Sequence, residues 1–171
     1  MGKGEGIETG SGNPHNPDRV DTEYLWLDVL TMDSILQLVE SFIFYEVDKS
    51  NSKKKTLIFP RYHQRRAVSR LLKDMKTNHT YNNYLIQHSA GSGKTNTIAW
   101  LAHSLVSLHD DQNRNIVDTV LIVTDRIVVD RQLQDAVRQI NHKNGVVKVM
   151  GDRETSSDLA DAIAGNTKII A

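Results

Sequence analysis

Residues 84–95 read YLIQHSAGSGKT. A short apolar run precedes a glycine-containing turn, and a helical pattern follows. The stretch predicts a strand over 83–88, a loop, and a helix over 94–109 in which Ile98, Leu101, Ala102, Leu105 and Val106 share one side. Gly-Ser-Gly-Lys-Thr at a strand-to-helix junction is suited to phosphate. Free backbone N–H groups at a helix N-terminus point outward and the helix dipole favours an anion there. Gly91 and Gly93 let the backbone curl into a nest of N–H groups without Cβ interference. Lys94 supplies a mobile ammonium for β/γ-phosphates and Thr95 a hydroxyl for Mg²⁺. The usual pattern, G-x-x-x-x-G-K-[ST], places a glycine where this chain has His88. Position 88 is where the strand ends, so His88 reads as a packed or hydrogen-bonded loop residue rather than a catalytic base. The expected ligands are ATP and Mg²⁺, held by Ser89, Ala90, Gly91, Ser92, Gly93, Lys94 and Thr95. Lys94 and Thr95 take the catalytic contacts, and Thr95 the metal.

Beyond this stretch the alternation continues. VLIVT (120–124) predicts a strand, and its unbroken apolar character predicts one covered on both faces. A helix over 127–140 carries Val128, Leu133, Val137 and Ile140. Then come a strand at 146–150, a helix at 156–164 and a strand beginning at Lys168. Strands alternating with helices imply an α/β fold with a parallel sheet and flanking helices.

Upstream, residues 1–20 are rich in Gly, Asn and Pro and read as linker. Thr31–Glu46 predicts an amphipathic helix, capped by Thr31 or Asp33, with Ile35, Leu36, Val39, Phe42 and Ile43 as its apolar set. Residues 47–56 are polar. Their run Lys53-Lys54-Lys55 has two readings, a solvated turn or a DNA-facing patch. Pro60 introduces a helix over 61–76. The expected organisation is a linker and helical segment over 1–56 and an α/β region over 57–171.

Composition sets the outer bounds. The 171 residues are 39% hydrophobic, with 21 basic and 21 acidic side chains and no cysteine. That supports one packed core, and excludes a disulfide framework or thiolate metal site. Zero net charge neither demands nor excludes a nucleic-acid partner. No apolar run approaches the ~18 residues of a bilayer span, and no secretory signal core is present. A cytoplasmic protein, with no membrane partner, is the expectation.

Two segments stand around the loop. In FPRYHQRRAV (59–68), the Gln64 amide offers a donor and an acceptor that suit an adenine edge, with Tyr62 or Phe59 to pack against the base. Equally, it is an ordinary helix-start glutamine. In VLIVTDRIVVDRQLQDAV (120–137), Thr124, Asp125 and Arg126 lie at a strand C-terminal end, where ligands of open α/β sheets gather. Thr124 and Arg126 are candidate contacts to nucleic-acid phosphates. The competing reading is a capping Asp beside a surface Arg.

RYHQ, HSAGSGKT and VTDRIVVDRQLQ, in this order and spacing, resemble the superfamily 2 helicases. More narrowly, they resemble the restriction (R) subunit of type I restriction-modification enzymes. GSGNPHNPDRVDTEYLWLDVL is similar to the segment joining nuclease and motor domains there. The resemblance implies a partial RecA-like phosphate-loop domain, in a subunit that translocates double-stranded DNA with ATP and cleaves it. It implies adenine recognition by Gln64, and modification (methyltransferase) and specificity subunits as partners. Other superfamily 2 helicases or remodelling ATPases, and a non-catalytic nucleotide-binding module, are the alternatives.

The acidic Walker-B motif is expected after the strand that begins at Lys168, and no such motif precedes Ala171. The chain is therefore expected to be a fragment with little ATPase activity of its own. Pro17-Asp18 with Asp74-Met75-Lys76 matches the letters of a nuclease motif. Linker and helix are the wrong settings for it, and the match reads as accidental.

Overall fold

The structure is a computed structural model that describes residues 17–18, 20–48, 50–51, 53–78, 82–125, 127–140, 146–151 and 153–171. The expected helix over 31–46 is shorter and changes character. Thr31 caps α1 (Met32–Gln37) by accepting from the Ser34 N–H at 3.4 Å. A π-turn, Leu38–Phe42, follows, and the chain then enters strand β1 (Phe44–Val47). β1 pairs antiparallel with β2 (Lys55–Ile58) in register Phe44 to Ile58, a hairpin that the sequence reading lacked. Asp48 shapes its turn, accepting from the Ser50 N–H at 2.8 Å and the Ser50 hydroxyl at 2.6 Å. Lys53 and Lys54 are exposed on that turn and Lys55 is exposed at the start of β2, as either reading of the lysine run requires.

The apolar face of this region also differs from expectation. Leu38 and Phe42 are buried, with Ser34 beneath them, whereas Leu36 and Val39 are 58% and 64% exposed. The 34/38/42 spacing keeps a four-residue period through the π-turn. It meets Val68 of α2 (Tyr62–Asn78) and Trp100 of α3 (Lys94–Val106). Trp100 is fully buried, donates Nε1–H to the Phe42 carbonyl at 2.8 Å, and packs its ring against Phe42 and Phe44.

A second cluster lies on the other side of α3. Ala99 and Ala102 pack there with Leu133 and Val137 of α4 (Ile127–Ile140) and with Ile169. Alanines on α3 let α4 approach closely. Ile140 borders both clusters and joins them into one core.

The parallel sheet is small: β3 (Val120–Leu121), β5 (Ile169–Ile170) and β4 (Val147–Lys148), in the order β3-β5-β4. α4 connects β3 to β4, and α5 (Ser156–Ala164) connects β4 to β5. The central strand is fully buried. β3 and the residues that continue it alternate instead of being covered twice: Val120 and Ile122 face the core, while Leu121 and Val123 are 50% and 82% exposed. α5 begins with a reciprocal cap. The Thr155 N–H donates to the Asp158 carboxylate at 2.7 Å, and the Thr155 hydroxyl oxygen accepts from the Asp158 N–H at 3.4 Å.

One expected strand is absent. Residues 83–88 pair with no other strand among the described residues, and Leu85 is 93% exposed. Both edges of β5 are taken by β3 and β4, so this segment has no place beside the central strand.

Candidate functional site

The loop after residues 83–88 takes its shape from two glycines and from α2. Gly91 and Gly93 have φ of +72° and +82°, the left-handed region where a Cβ is strained. Gly93 is the N-cap of α3, and its carbonyl accepts the first helical bond from the Thr97 N–H at 3.2 Å. A Cβ at Gly93 would stand 2.5 Å from Gln64 Nε2 and would displace that amide, in addition to straining φ.

Two side chains of the first turn of α2 hold this loop. Gln64 is 4% exposed. Its Nε2 donates to the Gly93 carbonyl at 2.9 Å and its Oε1 accepts from the Arg61 N–H at 2.8 Å. His63 donates Nε2–H to the Ser92 carbonyl at 3.0 Å, since a carbonyl can only accept. Its Nδ1 is buried without a partner, as is Ser92 Oγ. The His63 ring meets His88 edge-to-face at 5.0 Å between centroids. Burial, reinforced by the nearby charges of His63 and Lys94, holds the His88 imidazole below its usual range. His88 is thus a packed loop residue. His63 was missed by sequence reasoning; its place beside Gln64 at the same helix start was the available signal.

Four backbone donors of the loop are unspent. Lys94 is exposed, and its Nζ donates to the carbonyls of Ser89 at 2.9 Å and His88 at 3.3 Å. Within the loop, the Ser92 N–H donates to the Ser89 carbonyl at 3.3 Å. The N–H groups of Gly91, Gly93, Lys94 and Thr95 donate to no other group among the described residues. Thr95 is half-buried in the first turn of α3, and Ala90 is exposed. A Cβ built at Gly91 would meet no atom within 4 Å, so space is open there. Free N–H groups, open space and a cation at a helix N-terminus fit a polyphosphate.

At the second rim, Thr124 is half-buried and donates its hydroxyl to Asp130 Oδ1 at 3.2 Å. Gln134 donates to Asp130 Oδ2 at 2.8 Å, so Asp130 joins the segment that follows β3 to α4. Asp125 is exposed and Arg126 lies outside the described residues. Asp74, half of the accidental nuclease match, sits on α2 and accepts hydrogen bonds from Tyr84 and Asn78. Among the described residues no three His, Asp or Glu side chains form a metal-ligand group, and no helix is long and apolar enough to cross a membrane.

Residues 57–170 match the family model described as "Type III restriction enzyme, res subunit", so the chain belongs to that family, a helicase-like module of restriction enzymes. It is similar to two proteins of Methanocaldococcus jannaschii. "Putative type I restriction enzyme MjaVIIIP endonuclease subunit" is 28% identical over 87% of this chain and 16% of its own length. "Putative type I restriction enzyme MjaVIIP endonuclease subunit" is 31% identical over 67% of this chain and 11% of its own length. The chain thus spans under a fifth of either relative. No solved structure matches it.

Proposed function

We propose that the chain is the ATP-binding part of the motor of a restriction-enzyme R subunit, of the type I kind, with a RecA-like fold. The observation that carries this is the set of unspent N–H groups at Gly91, Gly93, Lys94 and Thr95, at the N-terminus of α3 with the Lys94 ammonium beside them. The names of the two relatives and the matched family support the restriction-enzyme part of the reading.

In this reading ATP would bind with Mg²⁺, which would neutralise phosphate charge. The loop backbone from Ser89 to Thr95 cradles phosphate, and Thr95 Oγ1 is the side-chain oxygen offered to the metal. Lys94 exchanges two loop carbonyls for phosphate oxygens. Gln64 and His63 fix the loop by holding its carbonyls, so that its N–H groups stay turned to the ligand. The Gln64 amide keeps one hydrogen on Nε2 and one lone pair on Oε1 for an adenine edge. Thr124 and Arg126 contact the backbone of double-stranded DNA. Methyltransferase and specificity subunits are the partners in the complex, in the cytoplasm.

Fluorescent ATP and labelled duplex DNA, titrated separately and together, test the reading. It expects Mg²⁺-dependent ATP binding, duplex binding, and a change in the affinity for one ligand when the other is present. ATP binding with no interaction with duplex would instead indicate a nucleotide-binding module unconnected to DNA.

A further inference from the structure

A cavity of about 350 Å³ lies on a different face of α2 from the one that holds the phosphate loop. Tyr62, Arg65, Arg66, Ser69 and Arg70 line it, with Asp28 of the π-turn Leu25–Val29 as the opposing wall. The spacing explains the cluster, because positions 62, 65, 66, 69 and 70 share one side of a helix. Lys73, exposed one turn further on, continues the same side. α2 contributes no acid to this side: its only carboxylate, Asp74, bonds Tyr84, Asn78 and Asn82 elsewhere.

The guanidinium groups are only partly engaged. Arg65 donates Nη2 to Ser34 Oγ at 2.6 Å, but its Nε is buried without a partner. Ser69 Oγ is buried without a partner as well. Arg66 lies over the Tyr62 ring at 5.7 Å and bonds its hydroxyl at 3.1 Å. Arg70 is exposed and makes no hydrogen bond or ion pair with any described residue. Asp28 lends its backbone carbonyl to Thr31 and Ser34, and its carboxylate pairs with none of the three arginines. Three arginines against one aspartate leave the cavity positive.

We propose that this arginine-lined cavity, with the basic stripe that continues it to Lys73, holds successive phosphodiesters of duplex DNA. An isolated phosphate or a free nucleotide would need one compact anion site. Here the positive charge instead runs along the helix for about two turns, roughly 12 Å from Arg65 to Lys73, which matches a polyanion with regularly spaced charges. Guanidinium groups suit phosphate oxygens through paired N–H donors. Nothing in the wall reads bases, so the contact positions DNA without selecting sequence. The inference rests on the DNA-motor reading and deepens it, adding a second DNA contact beside the rim at Thr124.

The test is fluorescence anisotropy of labelled duplex on the 171-residue chain over a salt series, with Arg70→Gln, the Arg66→Gln/Arg70→Gln pair, and Thr124→Ala. Thermal melts of each variant check folding, and both arginines are exposed. The expected result is roughly 10-fold weaker duplex binding in the double variant, with the slope of log affinity against log salt reduced by about 0.9 per lost phosphate contact. ATP affinity stays unchanged. Wild-type duplex affinity in the arginine variants, with loss only in Thr124→Ala, would overturn the inference and leave the DNA-motor reading standing. Weaker binding of inorganic phosphate or ATP but not of duplex would also overturn it, in favour of a small-anion pocket. A wild-type chain that binds no duplex would overturn it outright, while ATP binding would still be read independently.

Discussion

The side-chain amide of Gln64 donates to the main-chain carbonyl of Gly93 at 2.9 Å, across twenty-nine residues of sequence. This bond clamps the first turn of α2 to the residue that caps α3. Gln64→Ala leaves the Gly93 carbonyl and the Arg61 N–H without these partners, at a cost of about 1–3 kcal/mol for each group that stays buried. Loop order falls with it. Urea denaturation should show the loss of stability, and ATP titration a weaker affinity. An unchanged variant on both readouts would mean that the clamp is incidental.

Gly91 and Gly93 separate conformational strain from crowding. Both have positive φ, so Ala at either costs about 1–2 kcal/mol. Only at Gly93 does the added Cβ collide, 2.5 Å from Gln64 Nε2. Gly93→Ala should therefore destabilise more than Gly91→Ala. A double-mutant cycle with Gln64→Ala should show strong coupling for Gly93 and little for Gly91. Equal coupling would contradict the contact.

His103 gives the fold a pH dependence. It is 9% exposed, joins α3 to α4 through Nε2–H donation to the Val137 carbonyl at 2.7 Å, and burial holds its imidazole below the ordinary value of 6.5. Above that value both folded and unfolded chains carry the neutral ring. As pH falls through it, the unfolded chain takes up a proton that the folded chain resists, and stability is lost. Melting temperature should drop between about pH 7 and pH 5, and the drop should shrink in His103→Gln. His88, shifted in the same direction, accounts for part of the residual slope.

Trp100 anchors the N-terminal region. Trp100→Phe keeps most of the ring packing but leaves the Phe42 carbonyl without its 2.8 Å donor, and should cost about 1–3 kcal/mol. Trp100→Ala should cost about 3–5 kcal/mol, by opening a cavity beside Val68 and Leu38. Chemical denaturation of the two variants checks the order.

The sequence is most readable where local chemistry and packing agree. The helix over 127–140 has the bounds that its apolar period implies, and α5 begins and ends as its capping residues and glycine require. Glycines before a lysine mark the left-handed turns at 91 and 93 because few other residues adopt them. Tertiary choices were less readable. Nothing local says that YLIQH lacks a partner strand, since pairing depends on which edges of the sheet are already taken. Phe42 is buried as its period implies, but the burial of Leu38 in place of Leu36 and Val39 follows from where Trp100 and Val68 stand. Likewise, Gln64 is legible as a polar residue near the loop, but its attachment to the Gly93 carbonyl is not.

The central claim is that the loop from Ser89 to Thr95 holds the phosphates of ATP, with Lys94 as its mobile cation. Isothermal titration of Mg²⁺·ATP into the wild-type chain and into Lys94→Ala tests it directly. Lys94 is exposed and bonds only the Ser89 and His88 carbonyls, so its removal should leave the melting temperature nearly unchanged. The account predicts one-to-one binding by the wild type and a loss of at least about 10-fold in the variant, the effect of roughly 1.4 kcal/mol. Equal affinity in the two proteins, or no binding by a folded wild type, would contradict it.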